Sequence, residues 1–308
     1  MILTLTPNPA LDRIQTVPGF NRGLVCRATA VTLSAGGKGV NVARAVRGLA
    51  GKAICCGFLG GHTGRMFAGL LEQESIPSRW TWIEGETRVS PVVVSPETGE
   101  TTVINEAGPA VRIEDWERLS ADVLAAASPS SLVCISGTLP PGIPHELMAN
   151  LIRALPRPVF LDSSGDTLRA AIGGRPAAVK INGAEAAALL GWSGCQDPAT
   201  AFRAAQAIRA SGIGRVVLTL GKEGAILASD QGAWAATPPP LQVVCSIGSG
   251  DAFLAGLALS VTGNLPDAEA LRRAVAAGSA NALSVRGGSF SRADYERVLA
   301  GVTLRAIT

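Results

Sequence analysis

The chain has 308 residues, 47% of them hydrophobic and 17% charged, with a formal net charge of +3, which supplies apolar material for one large core or two ordinary ones. The near-balanced charge, the lack of any basic run and a single Tyr among few aromatics leave no electrostatic or stacking platform, so nucleic acid is not an expected partner. No apolar run approaches the roughly 20 residues that span a bilayer, and Met1 leads into ILTLTPNP without a basic n-region or apolar h-region; no membrane partner and a cytoplasmic location are expected.

Ile2 to Thr6 is alternating and β-branched, a first strand that ends at the turn PNPALD and sets Asp12 where a polar side chain can face a cleft. Residues 12–17 and about 27–33 read as short strands, too polar and too close together for a βαβ crossover, and so as part of a separate small sheet. SAGGKGVNVARAVRGLAG then opens a helix in which Val42, Ala45, Val46 and Leu49 recur at helical spacing. Lys52 to Leu59 is a nearly continuous apolar run, the mark of a strand covered on both faces, and GGHTGRMFAGLLEQESI follows as a helix. Residues 87–95 and 100–105, joined by PETG, predict a β-hairpin that joins the small sheet, with Pro91 suggesting an edge strand.

From Glu114 the βα rhythm of a parallel sheet runs on: helix 114–127, strand 132–136, helix 144–155, strand 159–162, a short helix near 166–172, strand 178–182, helices 184–190 and 198–211, and strand 215–221. AILAS and GAWAAT follow as antiparallel strands. The parallel strands end in SGT, DSSG, NGAE and GKEG; because ligands of an open parallel sheet bind at its carboxyl ends, these endings are expected to share one cleft with CSIGSGDAF, residues 245–253. The six cysteines lack any CxxC spacing, and neither a disulfide nor a metal site is assigned to them.

Within CSIGSGDAF, Gly248 and Gly250 permit a turn that gathers main-chain N–H groups on one anion, the helix AFLAGLALSV aims its positive end at the same point, and Asp251 lies in its first turn. That pattern suits phosphoryl transfer to a hydroxyl, and equally an ordinary glycine turn with an acid at a helix start. In SAGGKGVN, Gly36 and Gly37 allow close approach, Lys38 can hold a phosphate as a point charge, and Asn41 can bond sugar hydroxyls; a glycine turn with a solvated Lys is the alternative. Arg88 can form a bidentate phosphate clamp or lie solvated on its strand. Asn182 and Glu185 of KINGAE, three apart at a helix start, can order water around Mg²⁺ or simply cap the helix. TLGKEGA, around Thr219, Gly221 and Gly224, is either a nucleotide phosphate or ribose site or a hairpin turn. No G-x-x-x-x-G-K-[ST] and no G-x-G-x-x-G occurs, which disfavours P-loop NTPases and dinucleotide dehydrogenases. His62 and His145 have no triad or metal spacing and read as structural.

In this order TPNPALD, AGGKGVN, GETR, INEAGP, SGTLPPG, LDSSG, KINGAE, TLGKEGA, SIGSGDAF and AAGSANA resemble the PfkB branch of the ribokinase-like carbohydrate kinases, and within it the 1-phosphofructokinase and tagatose-6-phosphate kinase group. The likeness spans residues from about 4 to about 288. It implies a three-layer α/β/α sandwich with a mostly parallel central sheet and a small β-sheet lid, here strands within about 12–33 and 87–106 of one kinase domain, 1–308, with homodimerisation through the lid. It further implies transfer of the γ-phosphoryl of ATP, with Mg²⁺, to a sugar phosphate: fructose 1-phosphate, giving fructose 1,6-bisphosphate, is the expected substrate, fructose 6-phosphate and tagatose 6-phosphate are the alternatives, and a non-catalytic sugar-phosphate or nucleotide-binding regulator is the alternative of another class. Asp251 becomes the implied base, and the N–H groups of Ser249, Gly250 and Asp251, after Gly248, the implied anion hole. Asp12, Gly36, Gly37 and Asn41 fall at sugar-contacting positions, and Lys38, Arg88, Arg27 and Ser136 where the sugar's phosphate sits. Lys180, Asn182, Glu185, Thr219, Gly221 and Gly224 match the nucleotide and Mg²⁺ side, with Asn281 near the adenine. Ser249 replaces a usual Ala, and KIN stands where KPN is common.

Overall fold

A computed structural model describes residues 1–307. Its main sheet contains β1 (Ile2–Thr6), β4 (Ala53–Gly60), β5 (Ser78–Ile83), β8 (Leu132–Ser136), β9 (Val159–Asp162), β10 (Ala178–Asn182), β11 (Arg215–Thr219), β12 (Ala225–Ser229), β13 (Gly232–Thr237) and β14 (Thr303–Ala306). They lie in the order β14-β13-β12-β11-β10-β9-β8-β1-β4-β5. Every pair from β5 to β11 is parallel, and the pairs from β11 to β14 are antiparallel. β1 is flanked by β4 on one side and β8 on the other, so the chain order reverses there, and the crevice at the carboxyl end of β1 is where such a sheet binds ligands.

Alternation along β1 distributes the core over both faces of the sheet. Ile2 packs with α1 (Lys38–Gly48), α2 (Gly61–Gln73), α8 (Ser249–Thr262), α9 (Asp267–Asn281) and α10 (Arg292–Gly301), whereas Leu3 and Leu5 pack with α3 (Ile113–Ala127), α4 (Glu146–Ala154), α5 (Gly165–Ala171), α6 (Gly183–Leu190) and α7 (Pro198–Arg209). α8 is buried nearly all round, as its unbroken apolar sequence requires. It lies close against α9 because Gly256 has no Cβ, which would stand 3.0 Å from Ala274 Cα.

A second sheet, of order β3-β2-β6-β7, is made by β2 (Ala10–Thr16), β3 (Ala30–Gly36), β6 (Val89–Val94) and β7 (Thr101–Val103). β2 and β3 begin at Ala10 and Ala30 rather than at 12 and 27, since polar, partly exposed strands carry little periodic signal. Pro91 is not on an edge strand: β6 lies between β2 and β7. The Pro91 carbonyl accepts from the Ile104 N–H, so its main-chain groups point toward β7, which stops at Val103; the missing N–H leaves no gap in the ladder with β2. β5, α9, α10 and β14 complete the fold beyond the elements read from the sequence. Among the described residues no helix is long and apolar enough to cross a membrane.

Candidate active site

The carboxyl ends of the parallel strands and the inner side of the small sheet enclose a cleft of about 1460 Å³. Its floor is built on charge. Asp162, at the end of β9, is wholly buried, and its two carboxylate oxygens each accept from an ammonium at 2.7 Å, Oδ1 from Lys38 in the first turn of α1 and Oδ2 from Lys180 on β10. Burial pushes the Asp162 carboxyl up, but Lys180 and Lys38 override it and hold the group below the usual carboxylate range. Burial alone would lower the Lys38 ammonium; Asp162 and then Asp251 reverse that, so Lys38 remains firmly charged. Lys180 is 5% exposed and lines the cleft directly under Gly250, where an added Cβ would meet its Nζ at 2.5 Å.

Beside this floor α8 begins. Gly248 adopts φ 78°, and a Cβ there would lie 2.4 Å from Gly287 Cα, so both the turn and its packing demand glycine. Of the three N–H groups expected to form the anion hole, those of Ser249 and Asp251 are turned back onto Ser246 O and Gly248 O at 3.2 and 3.1 Å, while that of Gly250 has no main-chain acceptor among the described residues. Asp251 is 5% exposed, and its Oδ2 accepts from Asn41 Nδ2 at 2.8 Å. Burial raises its carboxyl above the usual range; Lys38 and Lys180 pull it back in part, and Asp162 pushes the other way. Asn41 Oδ1 accepts from Arg44 Nη1, so one amide hydrogen of Asn41 is not used by Asp251 or Arg44.

The lid faces the floor. Asp12 on β2 has its carboxylate where a Cβ on Gly36 would be, 2.1 Å from Oδ2, which explains the glycine at 36 in the neighbouring strand. Burial pushes Asp12 up to about 7, with Arg44 and Arg88 opposing and Asp251 adding to the rise. Arg88 is held by main-chain carbonyls: Asn8 O accepts from Nε at 3.2 Å and Nη2 at 2.9 Å, and Glu106 O from Nη1 at 3.0 Å. Among the described residues no carboxylate lies within direct bonding distance of the Arg88 guanidinium, which stands at the cleft wall.

On the opposite side, Asn182 and Glu185 form a capping box at the start of α6, Asn182 Oδ1 accepting from Glu185 N and Glu185 Oε2 from Asn182 N. Both nevertheless line the cleft, with Thr219, Gly221 and Gly224. Gly224, at φ 89°, cannot be replaced without a Cβ 1.9 Å from Ala236 O. Next to them Pro238, Leu241, Val243, Val275 and Ala282 give this end of the cleft an apolar lining.

Three expected contacts lie elsewhere. Ser136 is wholly buried, its hydroxyl has no partner, and it does not line the cleft, because alternation at the end of β8 turns it into the sheet face under α1 and α8. Arg27 is exposed between β2 and β3, outside the cleft of its own chain. Asn281 is wholly buried; it donates to Ile247 O at 2.8 Å and Ser249 Oγ at 3.3 Å and accepts from Gly288 N at 2.7 Å, tying the glycine turn to the loop after α9 instead of facing a base. Conversely, sequence reasoning used LDSSG as a strand end and as one of the family motifs but gave Asp162 no role. The available signal was a carboxylate closing an apolar strand, since a buried charge requires partners.

A family profile described as pfkB family carbohydrate kinase matches residues 9–293. The chain is 35% identical to the 1-phosphofructokinase of Escherichia coli strain K12 over 261 residues, 83% of this chain and 82% of the relative. It is 30% identical to a tagatose-6-phosphate kinase of Staphylococcus epidermidis over 303 residues, 97% of each. The crystal structure of phosphofructokinase-2 from Escherichia coli in complex with potassium superposes with a TM-score of 0.90 at 33% identity, covering 97% of this chain and 98% of that one.

Proposed function

We propose a reaction for a chain that belongs to the pfkB family of carbohydrate kinases: transfer of the γ-phosphoryl of ATP to fructose 1-phosphate, giving fructose 1,6-bisphosphate. Membership makes the protein a phosphotransferase with an alcohol group as acceptor, and the named relatives make it a sugar-phosphate kinase. The observation that carries the finer reading is the position of Asp251, buried at the N-terminus of α8 beside the Gly250 N–H, Lys180 and Lys38, with Asp12 and Arg88 on the facing wall of the cleft.

The chemistry follows from these positions. Lys38 and Arg88 receive the phosphate that the sugar already carries, and Asp12 and Asn41 orient its hydroxyls. Asp251 accepts the proton of the reacting hydroxyl as the loose transition state makes that oxygen acidic. Developing charge on the transferred group is met by the Gly250 N–H, by the α8 dipole and by Lys180. The apolar end of the cleft takes the base of ATP, and the turn from Thr219 to Gly224 approaches its phosphates.

Mg²⁺ fits this cleft only as a hydrated ion. Both oxygens of Asp162 are taken by lysines, and Glu185 Oε2 and Asn182 Oδ1 are taken by the cap, so on the nucleotide side Glu185 Oε1 would hold a cation that keeps most of its waters, with Asn182 beside it. When bound with ATP, the ion supplies charge neutralisation at the phosphates.

Outside the cleft, Phe20, Leu24, Val25, Val31, Val103 and Ile104 expose apolar side chains on and around the small sheet. In our reading this surface joins two copies into a homodimer.

The test is kcat/KM for fructose 1-phosphate, fructose 6-phosphate and tagatose 6-phosphate measured side by side, with Asp251→Asn in parallel. Fructose 1-phosphate is expected to lead. The variant is expected to lose at least about 10³-fold in kcat while binding ATP normally, since the base and its charge both disappear. Near-normal turnover in Asp251→Asn removes the mechanism, and a clear preference for another sugar phosphate removes the substrate.

A further inference from the structure

Arg44, on α1, does not line the cleft, yet it is 8% exposed and uses all five of its N–H groups. Nε and Nη2 bind Glu74 Oε2 and Oε1 at 2.6 and 3.0 Å, Nη2 also binds Ala35 O at 2.8 Å, and Nη1 binds Gly287 O and Asn41 Oδ1, both at 2.8 Å. A guanidinium only donates, so the Asn41 amide must present its oxygen to Arg44; its Nδ2 is then directed at Asp251 Oδ2 as a donor, a bond that favours the charged form of that carboxyl. The two bonds favour the same orientation of the amide, so Arg44 locks from one end the donor that Asp251 receives at the other.

We infer that Arg44 is a positioning residue for the reaction: acting through Asn41, it keeps a hydrogen-bond donor on the Asp251 carboxylate and so holds the base oriented and ionised. This rests on the reading of Asp251 as the base. The relay joins elements that belong to different parts of the fold. Glu74 caps α2, Ala35 is the penultimate residue of the lid strand β3, Gly287 lies in the loop after α9, and Arg286 from that loop donates to Glu74 and to Ser34. A lysine at 44 has three donors on one nitrogen and cannot reproduce five bonds in the planar fork. The groups that face Asp251 from the surrounding elements are Lys38 and Asn41 of α1, Asp162 of β9, Lys180 of β10 and Asp12 of β2. Among them Asn41 is the neutral one whose orientation decides its sign.

The experiment compares the kcat–pH profile, both KM values and thermal unfolding of the full-length wild type, Arg44→Met, Arg44→Lys and Asn41→Leu, with Asp251→Asn as reference. Arg44→Met is expected to lower kcat by about 10- to 100-fold, to leave KM for ATP within about twofold, and to move the acidic limb of the profile to higher pH, because the base loses a bond that favours its charged form. Asn41→Leu, which keeps the other four bonds of Arg44, is expected to move that limb the same way, and Arg44→Lys is expected not to restore it. If Arg44→Met only lowers the melting temperature and the folded enzyme keeps the wild-type limb, Arg44 is a structural tie and the inference fails. If Arg44→Met does not fold, an unmoved limb in Asn41→Leu overturns it just as well. Turnover surviving in Asp251→Asn would instead refute the base itself, a different result from an inactive Asp251→Asn with an unmoved limb in the relay variants.

Discussion

The floor of the cleft and its lid line the same space but are built on opposite principles. On the floor, Asp162, Lys180 and Asp251 are buried at the ends of strands and a helix packed on both sides, and Asp162 and Lys180 neutralise each other. In the lid, Asp12 and Arg88 stand on a sheet of four short strands whose outer residues are largely exposed, and Arg88 is held by carbonyls rather than by a counter-charge. Under the proposed function, a floor fixed by buried charge would suit the transferring phosphoryl group, which needs a preorganised environment, and a thin lid would suit a sugar that must enter and leave.

The sharpest way to break this contrast is Asp162→Asn, which leaves Lys180 buried without its counter-ion. A loss of about 3–5 kcal/mol in folding stability is expected from denaturant midpoints. Because the folded-state pKa of Asp162 is depressed, its contribution is present above the unfolded value of about 3.9 and disappears as pH falls through the lower folded value, so the variant and wild type should converge in acid. An unchanged midpoint at neutral pH would mean that the floor is not held by this triad.

Asp12→Asn tests the lid through the opposite sign. The Asp12 pKa is raised to about 7, so its favourable contribution is complete below the unfolded value and is lost as pH rises through about 7. Asparagine has no such slope, and its stability relative to wild type is expected to be greater at about pH 8 than at about pH 5. Equal differences at the two pH values would place Asp12 in an environment open to water.

The smallest effect is expected on the outer lid. Val25 is 93% exposed, and Val25→Asp should change folding stability by no more than about 0.5 kcal/mol. Light scattering should nevertheless report a halved mass if the lid joins two copies. An unaltered mass would exclude Val25 from any such contact.

Where the chain is covered on both faces, its elements are legible residue by residue: β8, β9 and β10 have the boundaries that their apolar runs predict. The glycines at 36, 37, 248 and 250 are legible as close-approach positions, although the reason differs at each, a carboxylate at 36 and an ammonium at 250. Lid strands are displaced by two or three residues because a half-exposed polar strand has no strong period, and Pro91 misleads because the direction of its absent N–H depends on where β7 stops. Ser136 and Asn281 illustrate another limit: both belong to motifs that face the cleft, and their own side chains point into the packing behind it.

The sequence by itself determined the class of fold, the family and the glycine-framed acid at residues 248–251, because periodicity, turn chemistry and ordered motifs are local properties of the chain. Only the tertiary structure decided that Asp162 bridges two lysines, that Arg44 donates to the Asn41 amide, and that burial, with Asp162 adding to it, raises Asp251. Those are properties of distance and of excluded water between residues as far apart in the chain as 41 and 251, bonded at 2.8 Å, and no local pattern encodes them.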